Sequence, residues 1–397
     1  MRLAFVFSVL ALLLPALPCR GQSLKPDEIF SSIAVRPLSD PNPVLGADGR
    51  VHLAYELLVA NPSELFVTLD KVEVVHPQGR SLAALDGERL AAMTKLYAGA
   101  GRTLPPGGTG LVFLDVSLAK DEPQPAQLAT RITAARQVRG PDGRPAPLPQ
   151  GFPFPASFTF TADVSRIGPA AVVVSPPLKG RGWVAVNGCC DSITSHRGAV
   201  MAINGRLRVP ERFAIDWLQL DSGDRIFKGE RAKLTSYRFY GAPVLAAADG
   251  VVVNLYNDAD EQTPGGPVKG LTAENIGGNM LVINIGGGAY AFYAHLQRDS
   301  LRVKLGDHVK AGQTIGLLGD TGNSDAPHLH FHIMDGPSPL NANGLPFVFT
   351  RFRSRGVLAP GGVDAMLTGE AVKIDPRLAG EHTRELPLND EVVDFDR

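Results

Sequence analysis

A mainly β chain in two domains is predicted by three observations. Short runs in which apolar and polar residues alternate recur along much of the chain, the period of a half-buried strand. Gly 43 and Pro 32 punctuate them, a supply of turn residues that suits strands better than helices. At 397 residues the chain exceeds a usual single core, so two domains are the natural division. The composition is otherwise ordinary, with 44% hydrophobic and 20% charged residues and a formal net charge of -1. That balance offers no electrostatic case for nucleic acid or for an anionic membrane surface.

Residues 1–22 read as a signal peptide. Arg2 supplies positive charge, and Leu3 to Leu17 is apolar but too short to span a bilayer as a mature helix. Polar Arg20-Gly21-Gln22-Ser23 follows, with cleavage around Gly21 or Ser23. Cys19 invites a lipoprotein reading, but Leu17-Pro18 match poorly the small residues that a lipidation signal wants. No later stretch is long and apolar enough to span, so the mature chain is expected to be exported.

Residues 23–166 read as a β-sandwich domain. Val51 to Val59 alternates and ends at Asn61-Pro62; Phe66 to Leu69 and Val72 to Val75 end at Pro77-Gln78-Gly79. Gly110 to Val116 follows Pro105-Pro106-Gly107-Gly108, and Phe158 to Val164 closes the series. Strands at this spacing, without strong helices between them, predict an antiparallel sandwich of immunoglobulin-like kind. His52 and His76 stand alone near turns and read as surface residues.

Residues 166–182 form the crossing, punctuated by Pro176-Pro177 and Gly180-Arg181-Gly182. The adjacent Cys189-Cys190 leaves free thiols, a vicinal disulfide and zinc ligation all open. Arg212 to Trp217 alternates, with Phe213, Ile215 and Trp217 inward and Asp216 on the opposite face. Pro243 to Leu245 and Val251 to Val253 flank an Asp249-Gly250 turn. Asn279 to Ile285 meets Tyr290 to Leu296 across Gly286-Gly287-Gly288, and alternation puts Tyr293 and His295 on one face. Residues 257–278 separate two strands as a long mobile loop, either a functional lid or a tolerated insertion. Residues 351–397 continue as a C-terminal extension with a few short strands, and from Glu381 the acidic composition reads as a flexible or loosely docked tail.

The stretch that concentrates chemistry is Gly319 to Asp335. Side chains alternate along a strand, so His328, His330 and His332 share one face while Leu329, Phe331 and Ile333 share the other. The apolar face reads as core, and the other is a row of imidazoles at roughly 7 Å steps. The chain has 9 histidines, so three within five positions argue for a site rather than a solvated face. Imidazole is a common metal ligand and general base.

Taken together, Gly241-Ala242-Pro243-Val244, Asp249-Gly250-Val251-Val252, Tyr293-Ala294-His295-Leu296, Gly306-Asp307 with Val309 to Gln313, Gly322, and His328-Leu329-His330-Phe331 carry a resemblance. Over roughly residues 183–348 the chain resembles the lysostaphin-type zinc endopeptidases, also called LytM or M23 peptidases, which cut peptide bonds in bacterial cell walls. The resemblance implies that residues 167–350 form an antiparallel β peptidase domain. It also implies Zn2+ as cofactor, peptidoglycan peptide as substrate, and a periplasmic or cell-envelope location. Carried over residue by residue, Asp216 and His330 are zinc ligands, and His295 and His328 are the catalytic pair. Such a pair would take or direct a proton and stabilise the oxyanion.

One position departs from the pattern. The family's first ligand sits four residues before the aspartate, and Arg212 occupies that place here. A guanidinium is always charged and does not bind a metal. Either a histidine from elsewhere completes the site, with His196 the best placed, or Arg212 pairs with Asp216 and the site is metal-free. His332, where the family often has a glutamate, reads as a partner behind a ligand, a spare ligand or a solvated strand end. His308 reads as exposed. Three functions follow: an exported zinc endopeptidase of the wall; a metal-free wall-binding module or activator of a partner hydrolase; and, last, a carrier module, since Val303 to Gly319 resembles lipoyl-type hairpins.

Overall fold

The computed structural model describes residues 28–395, so the signal peptide reading of residues 1–22 lies outside the described residues. Between Ala34 and Arg166 two antiparallel sheets face each other. One is built on the paired strands Arg50–Ala60 and Thr109–Ala119, flanked by Ala34–Pro37 and Thr94–Leu96. The other joins Phe66–Val75 to Ser81–Asp86 and Gln127–Arg139, which also pairs Ser157–Arg166. Leu53, Tyr55 and Leu57 from the first sheet meet Val67, Leu69, Val72 and Ile132 from the second in one apolar core. Burial of such side chains, roughly 1.5–3 kcal/mol each, is what holds the two sheets together.

The strand Arg50–Ala60 shows more than a sandwich requires. Alternation leaves one face for water, yet its second face, with His52, Ala54 and Glu56, is buried as well. His52, read from sequence as a surface residue, is 6% exposed. Its Nδ1 lies 2.8 Å from Asp115 and its Nε2 lies 3.2 Å from Asp48. Burial opposes its charge, but the two carboxylates outweigh that and raise its pKa to about 10. His76 stays at its turn, where Nδ1 accepts the Gln78 N–H.

What covers that face is the second domain. Its main sheet runs, neighbour to neighbour, Gly250–Tyr256, Asn279–Gly286, Ala289–Leu296, Leu329–Met334, Ile215–Gln219, Gly180–Val186, Glu391–Phe395 and Phe352–Leu358. A small sheet of Pro243–Leu245 with Thr314–Leu317 lies beside it. Trp217, Leu281, Tyr293, Leu329, Phe331 and Phe347 share one apolar core in this domain. The Tyr293 hydroxyl, buried in that core, accepts the Ala247 N–H at 2.7 Å.

The sequence reading of residues 381–397 as a flexible or loosely docked acidic tail is corrected here. Glu391–Phe395 is a buried strand, hydrogen-bonded to Gly180–Val186 on one side and Phe352–Leu358 on the other. Val392, Val393 and Phe395 supply apolar side chains at three of its five positions, and Glu391 and Asp394 are buried beside them. Composition hid this, because acidic residues flank a hydrophobic run too short to show a period.

Candidate metal centre

Sheet register places the central pair of residues. Asp216 lies directly opposite His330 on the antiparallel neighbours Ile215–Gln219 and Leu329–Met334. Phe213, Ile215 and Trp217 point into the core, so Asp216 must face the other way, onto the surface that carries His330 and His332. On the far side Ala289–Leu296 sets Ala294 opposite His330 and Phe292 opposite His332. His328, His330 and His332 all line one cleft of about 540 Å³, together with Asp216, His196 and His295.

His295 reaches that cleft by a route that alternation does not give. Regular alternation would put it with Tyr293, in the core. The register against Asn279–Gly286 slips by one residue between Tyr293 and Leu296, and His295 adopts φ 62. This bulge turns the imidazole onto the same face as the Phe292 and Ala294 side chains. The shared face read from the sequence for Tyr293 and His295 is therefore corrected. A non-glycine residue in the left-handed region is unfavourable, and such residues gather at functional sites.

His196, His295, His328 and His330 each have a ring nitrogen held by a partner. His196 Nδ1 donates to the Ala214 carbonyl at 2.9 Å, which leaves Nε2 facing Asp216 Oδ2 at 3.2 Å. His330 Nδ1 lies 3.0 Å from Asp216 Oδ1, while its Nε2 meets His332 Nδ1 at 2.9 Å. His328 Nδ1 donates to the Ala326 carbonyl at 2.8 Å, and its Nε2 lies 3.4 Å from Asp216 Oδ1. His295 Nδ1 donates to the Thr321 carbonyl at 2.7 Å. Asn187 donates to Asp216 Oδ2 at 2.9 Å and fixes the carboxylate from outside the histidine ring. Asn187 had no signal in the sequence.

The electrostatics follow from one buried carboxylate among imidazoles. Burial would raise the Asp216 pKa, but His196 and His328 pull it well below the usual range. Burial lowers His196, yet Asp216 outweighs that and lifts it to about 9; His328 is raised by the same balance. His295 and His332 are driven well below the ordinary value, first by burial and then by neighbouring imidazoles. The imidazoles around Asp216 thus favour its anionic form, while burial disfavours charge on His295 and His332.

The donor set fits zinc. His196, Asp216 and His330 each offer one atom, all within 4.8 Å of one another. Tetrahedral donors at zinc distances of 2.0–2.2 Å stand roughly 3.3–3.6 Å apart. The two histidines meet opposite oxygens of the same carboxylate, His330 Nδ1 at 3.0 Å from Oδ1 and His196 Nε2 at 3.2 Å from Oδ2, so one carboxylate spans both imidazole donors. Ligating histidines usually donate through their other nitrogen, as His196 does to Ala214 and His330 can to His332. Proton placement in that pair then follows. With Nδ1 of His330 free, its Nε2–H donates to His332, so His332 carries its proton on Nε2, a buried atom with no partner among the described residues. His332 stands behind His330.

Arg212 does not face Asp216. Its guanidinium turns to the sandwich and binds Glu56, with Nε at 3.1 and 3.0 Å from the two carboxylate oxygens and Nη2 at 2.6 Å. The pairing that motivated a metal-free site is thus absent. Among the described residues a second group, His52, Asp115 and Cys190, also brings three donors together. There Cys190 is joined to Cys189 in a disulfide, which resolves the open state of that pair and takes its sulfur out of ligation. His308 is exposed. Residues 257–278, expected to be mobile, are tethered: Gln262 N–H to Asp320, Gly265 N–H to Asp325, and the Ile276 and Gly277 carbonyls to Asn323 and His295. They put Val268, Ile276 and Gly277 into the cleft wall.

Residues 235–342 match the family model described as peptidase family M23. The chain is 35% identical over 111 residues to glycyl-glycine endopeptidase ALE-1 of Staphylococcus capitis, covering 28% of this chain and 26% of that protein. It is 35% identical over 102 residues to peptidoglycan DD-endopeptidase ShyA of Vibrio cholerae, covering 26% and 20%. Among solved structures, the catalytic domain of the antimicrobial peptidase lysostaphin from Staphylococcus simulans aligns at 28% identity and a TM-score of 0.22, covering 36% of this chain and 80% of that one. The chain thus spans about a quarter or less of the length of these two curated relatives. His295, His328 and His330 fall inside the matched residues; His196 and Asp216 lie before them.

Proposed function

We propose that this chain, whose residues 235–342 carry an M23 peptidase domain, is an exported zinc endopeptidase that hydrolyses peptide bonds of bacterial peptidoglycan. The observation that carries the reading is the convergence of His196, Asp216 and His330 at the floor of a cleft that His295 and His328 also line. Two relatives, a glycyl-glycine endopeptidase and a peptidoglycan DD-endopeptidase, support the substrate class.

In this reading His196, Asp216 and His330 hold the ion. Bound zinc would polarise the scissile carbonyl and ease deprotonation of the attacking water. The chain's own groups do the rest. His295 and His328 each spend Nδ1 on a backbone carbonyl, so each keeps Nε2 for the reacting atoms. The ring that is neutral takes on Nε2 the proton that the water loses, and the other, protonated on both nitrogens, donates from Nε2 to the developing oxyanion. The Ala326 and Thr321 carbonyls fix both tautomers, so neither ring needs to reorient during the reaction. Phe292, Ile276, Pro339 and Leu340 give the cleft apolar walls, which hold a peptide while leaving its amides to the polar floor.

The test is metal analysis of the purified mature chain, followed by incubation with purified peptidoglycan and mass spectrometry of the soluble fraction. About one zinc per chain and release of free peptides are expected. A zinc-loaded chain that releases nothing from walls of several cross-bridge types would overturn the endopeptidase reading.

A further inference from the structure

Two of the three candidate ligands stand on paired strands, but the third does not. His196 lies between residues 187 and 200, a stretch without strand or helix. An irregular segment of this kind is ordinarily the mobile part of a fold. It needs something to hold it.

That hold comes from the sandwich. Arg197, next to His196, is fully buried. Its Nη2 donates to the Leu114 carbonyl at 3.0 Å, its Nη1 donates to the Cys190 carbonyl, and the guanidinium lies 5.6 Å from the centre of the Phe113 ring. Ile193 and Val200, on either side of the histidine, pack against Met93, Leu111 and Phe113 of the sandwich. At the edge Lys95 donates to the Gly198 carbonyl at 3.0 Å, and Arg89 donates to the Asp191 carbonyl. Glu56, which receives Arg212, stands directly opposite Phe113 in the sandwich register. One cross-strand pair therefore meets both the segment that carries His196 and the turn that leads to Asp216. The residues that line the cleft all lie between Asn187 and Leu340, so the sandwich holds the site from behind without covering it.

We infer that the N-terminal sandwich is a structural part of the metal centre, and that Arg197, docked on Phe113 and Leu114, is the positioning residue that keeps His196 in ligand range. The inference rests on the zinc reading above. It gives the sandwich a role distinct from an inhibitory cover or a wall-recognition module. The position four before Asp216 has gone to an inter-domain ion pair, while its ligand duty has passed to a segment that the same sandwich strands secure.

The experiment uses the full mature chain, stripped by chelation and reloaded with Zn2+ or Co2+ in competition with a chromophoric chelator. Circular dichroism checks the fold of every variant. Arg197→Ala should raise the metal Kd about 10–100-fold, the usual effect of losing a residue that orients a ligand. Its Co2+ absorption spectrum should move to that of His196→Ala, a coordination signature that a general loss of stability would not copy. Arg197→Lys, which reaches a single carbonyl, should recover part of the affinity. A folded Arg197→Ala chain with parental Kd and parental spectrum would overturn the inference. Should Arg197→Ala not fold, Arg197→Lys decides: a Kd equal to the parent's overturns it, and a weakened one with the His196→Ala spectrum supports it. A parent chain that binds neither ion overturns the zinc reading itself and the inference with it.

Discussion

Arg212 and Glu56, 156 residues apart in sequence, form a two-pronged ion pair across the boundary between the sandwich and the second domain. Their side chains are 2% and 0% exposed. The Ser39 hydroxyl takes a further guanidinium N–H at 2.7 Å. Desolvation of two charges costs much of what their attraction returns, so such a pair acts more as a lock on geometry than as a source of net stability.

Removal of one member should therefore hurt more than removal of both. Arg212→Met leaves a buried carboxylate alone and should destabilise the chain by about 3–5 kcal/mol. The double variant Arg212→Met with Glu56→Leu should come within about 1–2 kcal/mol of the parent. Urea unfolding of the four proteins measures the cycle, and a double variant as unstable as the single one would refute it.

Zinc content should follow the three donors. His196→Ala should lose most of the bound metal, as should Asp216→Ala, while exposed His308→Ala should match the parent. Elemental analysis after gel filtration gives the answer directly. Equal zinc in His196→Ala and the parent would remove His196 from the site.

His332 should act on affinity rather than on stoichiometry. His332→Ala deprives the His330 Nε2–H of its acceptor and should weaken metal binding about 10–100-fold. His332→Glu restores an acceptor and should bind at least as well as the parent. Chelator competition reads both, and an unchanged Kd in His332→Ala would show that the contact does not orient the ligand.

His295→Ala and His328→Ala should keep their zinc. Each should slow peptide release by about 10²–10⁴-fold, the usual contribution of a positioned proton-transfer group. Initial rates on purified wall, measured at matched metal content, separate this from loss of the ion.

Stability should fall as pH rises, through two groups remote from the metal centre. Glu391 is buried in the main sheet, and burial raises its pKa from 4.5 to about 7. Between those values the folded chain holds more protons than the unfolded one, so raising the pH removes stability, up to an amount on the order of 3 kcal/mol. His52, raised to about 10 by Asp115 and Asp48 against the opposing effect of burial, carries the same sign between pH 6.5 and 10. Glu391→Gln should flatten the lower limb of an unfolding free energy profile and leave the upper one. A parallel profile in the variant would contradict the assignment.

Local features of the site were readable in the sequence where chemistry is local. The imidazole row at 328, 330 and 332 follows from the period of a strand, and the inability of a guanidinium to bind metal directs attention to His196. Long-range pairings left no such trace. Nothing near Arg212 announces Glu56, and nothing near His52 announces Asp115, 63 residues away. The turn of His295 onto the cleft face depends on one extra residue in a ladder, which alternation counts as regular strand. The strand Glu391–Phe395 failed for a different reason: five residues are too few for a period, and acidic neighbours dominated the reading.

That strand has a consequence for how the protein is made. It slots between Gly180–Val186 and Phe352–Leu358, strands synthesised well before it. Until residue 395 has left the ribosome, both of those neighbours keep a raw hydrogen-bonding edge, and Trp217 lacks the Phe395 ring that packs on it. Proteolytic trimming or a premature stop upstream of Glu391 would thus open the middle of the sheet rather than shorten its end.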